Sequence, residues 1–210
     1  MNLRSVTRRQ FVKRAVLATT ALSMPFVARR NVLGANGRLN IAGIGVGGKG
    51  ASDVANVDNE NIYALCDVDE VNAAGSFQKY PQAKRFKDFR VMLDKEGKNI
   101  DACIIAIPDH MHCTAAVWAM ERGKHVYVQK PLVRTIWEAR MLTEAAAKYK
   151  VATQMGNQGY SNEGTRQAAE MIWAGEIGDV KTVHAWTDRP IWPQGLTEIP
   201  PSSPPPDTLD

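Results

Sequence analysis

Leu39-Asn40-Ile41-Ala42-Gly43-Ile44 runs without a break into Gly45-Val46-Gly47-Gly48-Lys49-Gly50. The first six residues are apolar apart from Asn40, the pattern of a short strand buried on both faces. The next six place Gly45, Gly47 and Gly50 in a G-x-G-x-x-G spacing. That spacing suits a strand–turn–helix passage against a pyrophosphate. The first glycine makes the tight turn, the second lets the backbone approach the phosphates, and the third lets the helix pack on the strand. A second register, Gly43, Gly45 and Gly48, also fits, but it breaks the strand before the turn. The helix expected from about Ala51 to Val57 would aim its first N–H groups at the pyrophosphate.

A glycine loop alone is a weak signal, and the next segment of the chain gives it context. Asn61-Ile62-Tyr63-Ala64-Leu65-Cys66 is a second buried-strand pattern, ending at Asp67, 22 residues after Gly45. An acid at that point is placed to bind the adenosine ribose hydroxyls of a dinucleotide. Its charge also repels a 2′-phosphate, so NAD is expected as the cofactor in preference to NADP. Asp69 stands where the next helix begins and reads as a cap.

The alternation continues along the chain. Phe89 to Asp94 reads as a short helix, Ile100 to Ile107 as a buried strand, and His112 to Arg122 as a helix stopped by Gly123. His125 to Val128 is again strand-like. Thr135-Ile136-Trp137-Glu138 is a capping box opening a helix to about Tyr149. A strand over Val151 to Met155 and a helix over Asn162 to Ala174 come next. Strands and helices alternating at this spacing predict an α/β fold, a doubly wound parallel sheet of the Rossmann type. Trp118, Trp137 and Trp173 fall on helical faces and read as core residues. Cys66, Cys103 and Cys113 form no CxxC pair, which argues against a disulfide framework or a cysteine zinc site.

The formal charge of +4 is unevenly placed. Residues 1–35 carry seven basic side chains and no acidic one, leaving nineteen basic against 22 acidic residues in the body. A basic patch for nucleic acid is therefore not expected. Thr7-Arg8-Arg9-Gln10-Phe11-Val12-Lys13 precedes an uncharged run from Ala15 to Ala28, about 21 Å as a helix and short of a ~30 Å hydrocarbon core. This reads as a signal segment rather than a spanning helix. The twin arginines resemble the Tat export consensus, against an alternative of an amphipathic N-terminal helix. They predict a periplasmic or extracytoplasmic protein, exported folded with its cofactor loaded. Arg29-Arg30 follow the run, and no clean cleavage site precedes Asn36.

Ligands of open α/β sheets bind at the carboxyl ends of the strands. Pro108-Asp109-His110-Met111-His112, Gln129-Lys130-Pro131 and Gly156-Asn157-Gln158-Gly159 stand at three such exits. His110 and His112 lie two apart at a strand-to-helix junction with no Glu or third His close in sequence, so no metal site is expected. Asp109 or His110 reads as a helix cap. Asn157 and Gln158 suit either a turn or a contact with the nicotinamide ribose or substrate.

Taken in order, Gly45-x-Gly47-x-x-Gly50, Asp67, Pro108-x-x-x-His112, Gly123-Lys124-His125-Val126 and Lys130-Pro131 resemble the Gfo/Idh/MocA family over about Leu39 to Trp192. The signal segment and Tyr127-Val128-Gln129-Lys130-Pro131-Leu132 are similar to its exported bacterial branch. The resemblance implies that Gly45, Gly47, Gly50 and Asp67 hold NAD(P). It counts Pro108 among the cofactor-binding residues, with Asn157 beside it on the reading above, places His112, Gln129 and Lys130 at the nicotinamide end, and gives Lys130 the catalytic role of orienting and polarising a substrate hydroxyl. The family usually has Glu where this chain has Gln129. An amide still accepts a ribose hydrogen bond, but it takes up no proton and leaves Lys130 without that carboxylate neighbour.

Lys181 to Trp186 alternates polar and apolar residues, resembling the first strand of the family's antiparallel-sheet domain. A tail with Pro200, Pro201, Pro204, Pro205 and Pro206 reads as extended. The expected organisation is a signal segment at 1–35, an NAD(P)-binding domain at 36–158, and at 159–210 the beginning of an incomplete α+β substrate domain. The family's acid/base histidine has no counterpart here, and His184 lies too early to be carried over. The resemblance implies an NAD(P)-dependent oxidoreductase acting on a sugar, polyol or related carbohydrate, and a homo-oligomer when full length. An NAD-assisted glycoside hydrolase and a non-catalytic nucleotide-binding fragment are the alternatives.

Overall fold

In the computed structural model the described residues are 37–188 and 197–209. The signal segment and Arg189-Pro190-Ile191-Trp192-Pro193 lie outside them.

Six parallel strands form one sheet: β1 (Asn40–Ile44), β2 (Asn61–Cys66), β3 (Lys84–Phe86), β4 (Ala102–Ile105), β5 (His125–Gln129) and β6 (Thr153–Gly156). Their spatial order is β3-β2-β1-β4-β5-β6, so the winding reverses between β1 and β4. Helices α1 (Gly48–Ala55), α2 (Ala74–Lys79), α3 (Phe89–Glu96), α4 (His112–Glu121), α5 (Ile136–Tyr149) and α6 (Glu163–Trp173) connect and follow them. This is the doubly wound arrangement expected from the alternating pattern.

Each face of the sheet has its own core. On one, Ala42, Ile44, Ala64, Cys66, Cys103, Ile105, Val126 and Val128 pack with Met92 and Leu93 of α3, Ala115, Ala116, Ala119 and Met120 of α4, and Leu142 and Ala145 of α5. On the other, Ile41, Ile62, Leu65 and Ile104 pack with Val54 of α1 and Phe77 of α2. Burial on both faces explains why these strands read as near-continuous apolar runs. The capping box forms as written: the Thr135 hydroxyl accepts from the Glu138 amide at 3.2 Å, and the Glu138 carboxylate accepts from the Thr135 amide at 2.9 Å.

Several expectations are corrected. The helix expected to begin at Asp69 is α2, only six residues long and starting at Ala74, and the three-residue β3 was not legible. β3 is held from the side, where Glu96 accepts from Lys84 at 2.7 Å and from the Tyr63 hydroxyl at 2.6 Å. Lys84, with Tyr63, draws the Glu96 carboxyl down to about 2. Trp137 and Trp173 are 67% and 83% exposed and are not core residues. Trp137 lies in the first turn of α5, and α6 buries none of its residues. Trp118 does pack against the core, with Arg122 over its ring at 4.4 Å. Neither Asp109 nor His110 caps α4, whose N-cap is Met111 without a side-chain hydrogen bond.

Residues 181–188 have no regular secondary structure, so the alternating segment does not form a strand. Alternation makes a strand only where a neighbour pairs with its backbone, and the described residues offer none there. Val183 and Trp186 are exposed. The proline-rich residues 200–206 are exposed and irregular, and the tail returns to pair Leu209 with Asp69 in an isolated antiparallel bridge. Among the described residues no helix is long and apolar enough to cross a membrane.

Candidate functional site

The turn after β1 is the centre of the site. Gly45 has φ +76°, a conformation that side chains rarely adopt, and a Cβ there would meet the Ala106 carbonyl oxygen and stand 2.6 Å from Ile107 Cγ2. A Cβ on Gly50 would strike the Gly45 carbonyl oxygen, and one on Gly47 would strike the Asn72 side chain. Backbone therefore leaves no room for a side chain at Gly45 or Gly50, while at Gly47 the Asn72 side chain would have to move. Gly43 instead lies inside β1, as expected if the strand is intact before the turn. Helix α1 starts at Gly48 with Gly47 as its N-cap, three residues earlier than the expected Ala51.

Asp67 leaves β2 directly beside this turn. Its Oδ2 accepts from the Val46 amide at 2.7 Å and the Gly47 amide at 3.0 Å, and its Oδ1 accepts from the Asp69 amide at 3.0 Å. A carboxylate has about four acceptor sites, so capacity is left for a hydroxyl donor. Asp69 accepts from the Val71 and Asn72 amides in the turn before α2 and does not cap that helix, whose N-cap is Ala73 without a side-chain hydrogen bond.

A cleft of about 400 Å³ opens at these strand exits, lined by Gly45, Gly47, Asp67, Ile107, Pro108 and Met111 among others. Leu209 of the tail reaches its wall. Pro108, at the β4 exit, lines the cleft beside the glycine loop.

His112 corrects the reading of a pocket-lining side chain. It is 1% exposed, its Nδ1 is 2.6 Å from the Pro131 carbonyl oxygen, and its Nε2 is 2.8 Å from the Ile107 carbonyl oxygen. Both ring nitrogens are engaged by backbone, so the residue ties the β4 exit to the turn after β5. Among the described residues no group of three His, Cys, Asp or Glu side chains is placed to hold a metal.

The β5 exit carries Gln129, buried, then exposed Lys130 and Pro131 joined by a cis peptide. Asn157 is exposed just past β6. Gln129 is not turned toward solvent: its Nε2 donates to Asp53 Oδ2 at 2.6 Å, and its Oε1 accepts from the Lys130 amide at 3.2 Å.

Asp53 was missed. It is 5% exposed on α1, pairs with Lys49, and receives the Gln158 amide at 3.4 Å. The same Gln158 nitrogen donates to the Tyr127 hydroxyl at 2.8 Å, and burial followed by the Asp53 charge pushes that hydroxyl's pKa up. The signal was available: Gly50, Asp53 and Val54 share one helical face, so a carboxylate lies among residues that pack inward.

Glycines that a Cβ would block, an acid bonded to their loop and a cleft at the winding reversal together fit a dinucleotide. The sequence profile of the Gfo/Idh/MocA oxidoreductase family, with its NAD-binding Rossmann fold, matches residues 38–157. The chain belongs to this family. Inositol 2-dehydrogenase of Salmonella typhimurium is a relative, 30% identical over 151 residues that make up 70% of this chain and 44% of that enzyme. A glycosyl hydrolase family 109 protein of Solibacter usitatus is 31% identical over 163 residues, 69% of this chain and 36% of that protein. The crystal structure of scyllo-inositol dehydrogenase from Lactobacillus casei, with bound NAD(H) and scyllo-inositol, shares the fold. It has a TM-score of 0.60 and 23% identity over 68% of this chain and 43% of that one. This Gfo/Idh/MocA chain thus spans under half the length of these relatives.

Proposed function

We propose that the protein is an oxidoreductase acting on a sugar, polyol or related carbohydrate with NAD in preference to NADP. The observation that carries the reading is the joining of Asp67 to the glycine-loop amides at the mouth of one cleft. Gly45, Gly47 and Gly50 would admit the pyrophosphate, and Asp67 would accept from the ribose hydroxyls and repel a 2′-phosphate. Bound NAD supplies a nicotinamide that exchanges hydride with a carbinol carbon.

Lys130, exposed at the β5 exit, would donate to the carbinol oxygen and polarise it. Its backbone is held by Gln129 and its following turn by His112. Asn157 stands at the neighbouring exit, where its amide would contact the nicotinamide ribose or the substrate. Activity and substrate belong to the whole protein, since the chain spans 44% of the inositol 2-dehydrogenase it resembles.

Inositols and simple sugars are the substrates to test, with the growth of NADH absorbance as readout. Turnover dependent on Lys130 supports the proposal; no turnover of any polyol or sugar by a protein that binds NAD overturns it. The glycosyl hydrolase family 109 relative favours a second reading, an NAD-assisted glycosidase. Release of a chromogenic aglycone without net NADH separates the two. Export through the Tat route, supported by Arg8-Arg9 and the following apolar run, and self-association, supported by the family resemblance, complete the proposal.

A further inference from the structure

The Asp53–Gln129 contact joins two elements with separate duties. Asp53 lies on the inward face of α1, the helix that follows the glycine loop, with its side chain 3% exposed. Gln129 ends β5 and leads into Lys130, and it is 6% exposed. Its amide has one end of each kind in use: Nε2 donates to the Asp53 carboxylate at 2.6 Å, and Oε1 accepts from the Lys130 N–H at 3.2 Å. Gly156, paired with Gln129 across β5 and β6, makes the room, since a Cβ there would stand 2.9 Å from Gln129 Cδ and Nε2. The slot fits one planar group that donates toward α1 and accepts from Lys130.

We infer that Asp53 is a positioning residue, which through Gln129 fixes the strand exit carrying Lys130 to the helix beneath the glycine loop. Its functional consequence rests on the cofactor reading above; its geometry does not. The charged and titratable groups facing the pair are Lys49 on α1, which pairs with Asp53, and Tyr127 on β5, with neutral Gln158 beside them.

This assignment explains the amide at residue 129. A glutamate there would face the Asp53 carboxylate at about the 2.6 Å that now separates donor from acceptor, where little water reaches. Two carboxylates so close cannot both ionise without cost, so one keeps its proton to a raised pH. Exchanging the two groups, Asp53→Asn with Gln129→Glu, reverses the same hydrogen bond. The new amide donates, the new carboxylate accepts from it and from the Lys130 N–H, and Lys49 and Gln158 keep an oxygen acceptor.

The test compares the wild-type chain, Gln129→Glu and the exchanged pair by thermal melting from pH 5 to pH 8 and by NAD titration. A carboxyl whose folded pKa is raised contributes stability below its unfolded pKa and loses it as pH rises. Gln129→Glu is expected to melt roughly 5 °C or more lower at pH 8, with the deficit shrinking toward pH 5. The exchanged pair is expected to recover both the melting temperature and its flat pH profile. NAD affinity should fall about tenfold in Gln129→Glu and return in the exchanged pair. If Gln129→Glu does not fold, folding of the exchanged pair supports the inference equally. A flat, wild-type-like profile for Gln129→Glu, or no recovery in the exchanged pair, overturns it. Failure of the wild type to bind NAD instead overturns the cofactor reading, while the melting comparison still decides the pair.

Discussion

Asp67 holds the Gly47 amide on its Oδ2 at 3.0 Å, so the acid that ends β2 and the turn that ends β1 form one unit. The carboxylate shapes the loop as well as facing the cleft. Asp67→Ala is therefore expected to weaken NAD binding by about tenfold to a hundredfold, as a charge-assisted hydrogen bond and the loop geometry are lost together. It should narrow the gap between NAD and NADP, because the repulsion of a 2′-phosphate goes with the charge. Calorimetric titration with both nucleotides checks this, and an unchanged preference for NAD would count against the assigned role.

Gly50→Ala places a Cβ against the Gly45 carbonyl, 2.8 Å from its carbon, and backbone must move to admit it. The expected result is a loss of about 1–3 kcal/mol of stability and a larger loss of NAD affinity. Gly75→Ala is the control, since nothing lies within 4 Å of a Cβ there. It should be neutral or stabilising by up to about 1 kcal/mol in a helix. Urea unfolding of both variants separates the two outcomes.

His112→Ala removes a buried ring that reaches two backbone carbonyls. It should cost about 2–4 kcal/mol by urea unfolding, from the cavity and the abandoned carbonyls. The turn holding Lys130 would loosen with it, so NAD binding should weaken too. Full stability in this variant would show that the two contacts contribute little.

Burial pushes the Cys66 and Cys103 thiols up to about 12, with the Asp67 and then Asp88 charges adding to the effect at Cys66, and burial also raises Cys113. Thiolate is the reactive form. At pH 8 the folded chain is therefore expected to resist iodoacetamide at all three positions, and to react at all three in denaturant. Rapid alkylation of the folded chain, read by mass spectrometry, would contradict this burial.

The parts of the fold most legible in sequence were those with a local signal. β1, β2, β4 and β5 are buried on both faces, so their apolar runs stand out. The Thr135–Glu138 box is a purely local contact and was readable as such. β3, Lys84–Phe86, is short and charged, and it exists only because β2 pairs with it, which no local pattern records. Trp137 and Trp173 had helical spacing, but spacing does not say whether a helix face meets the sheet.

At the site, the glycine spacing and Asp67 were legible because each follows directly on a buried apolar strand. His112 was visible as a residue and misplaced as a role, since its partners at Ile107 and Pro131 come from different loops. Gln129 stood out in sequence as a departure from the family's usual Glu. The partner of its amide, Asp53, lies 76 residues away and meets it only once α1 packs beside β1 and β4.

The most direct test is titration of the purified chain with NAD and NADP. Asp67 beside the glycine loop predicts saturable binding of NAD, at least about tenfold tighter than NADP and lost with Asp67→Ala. A chain that takes up neither nucleotide at about millimolar concentration, or that binds NADP more tightly, would contradict it.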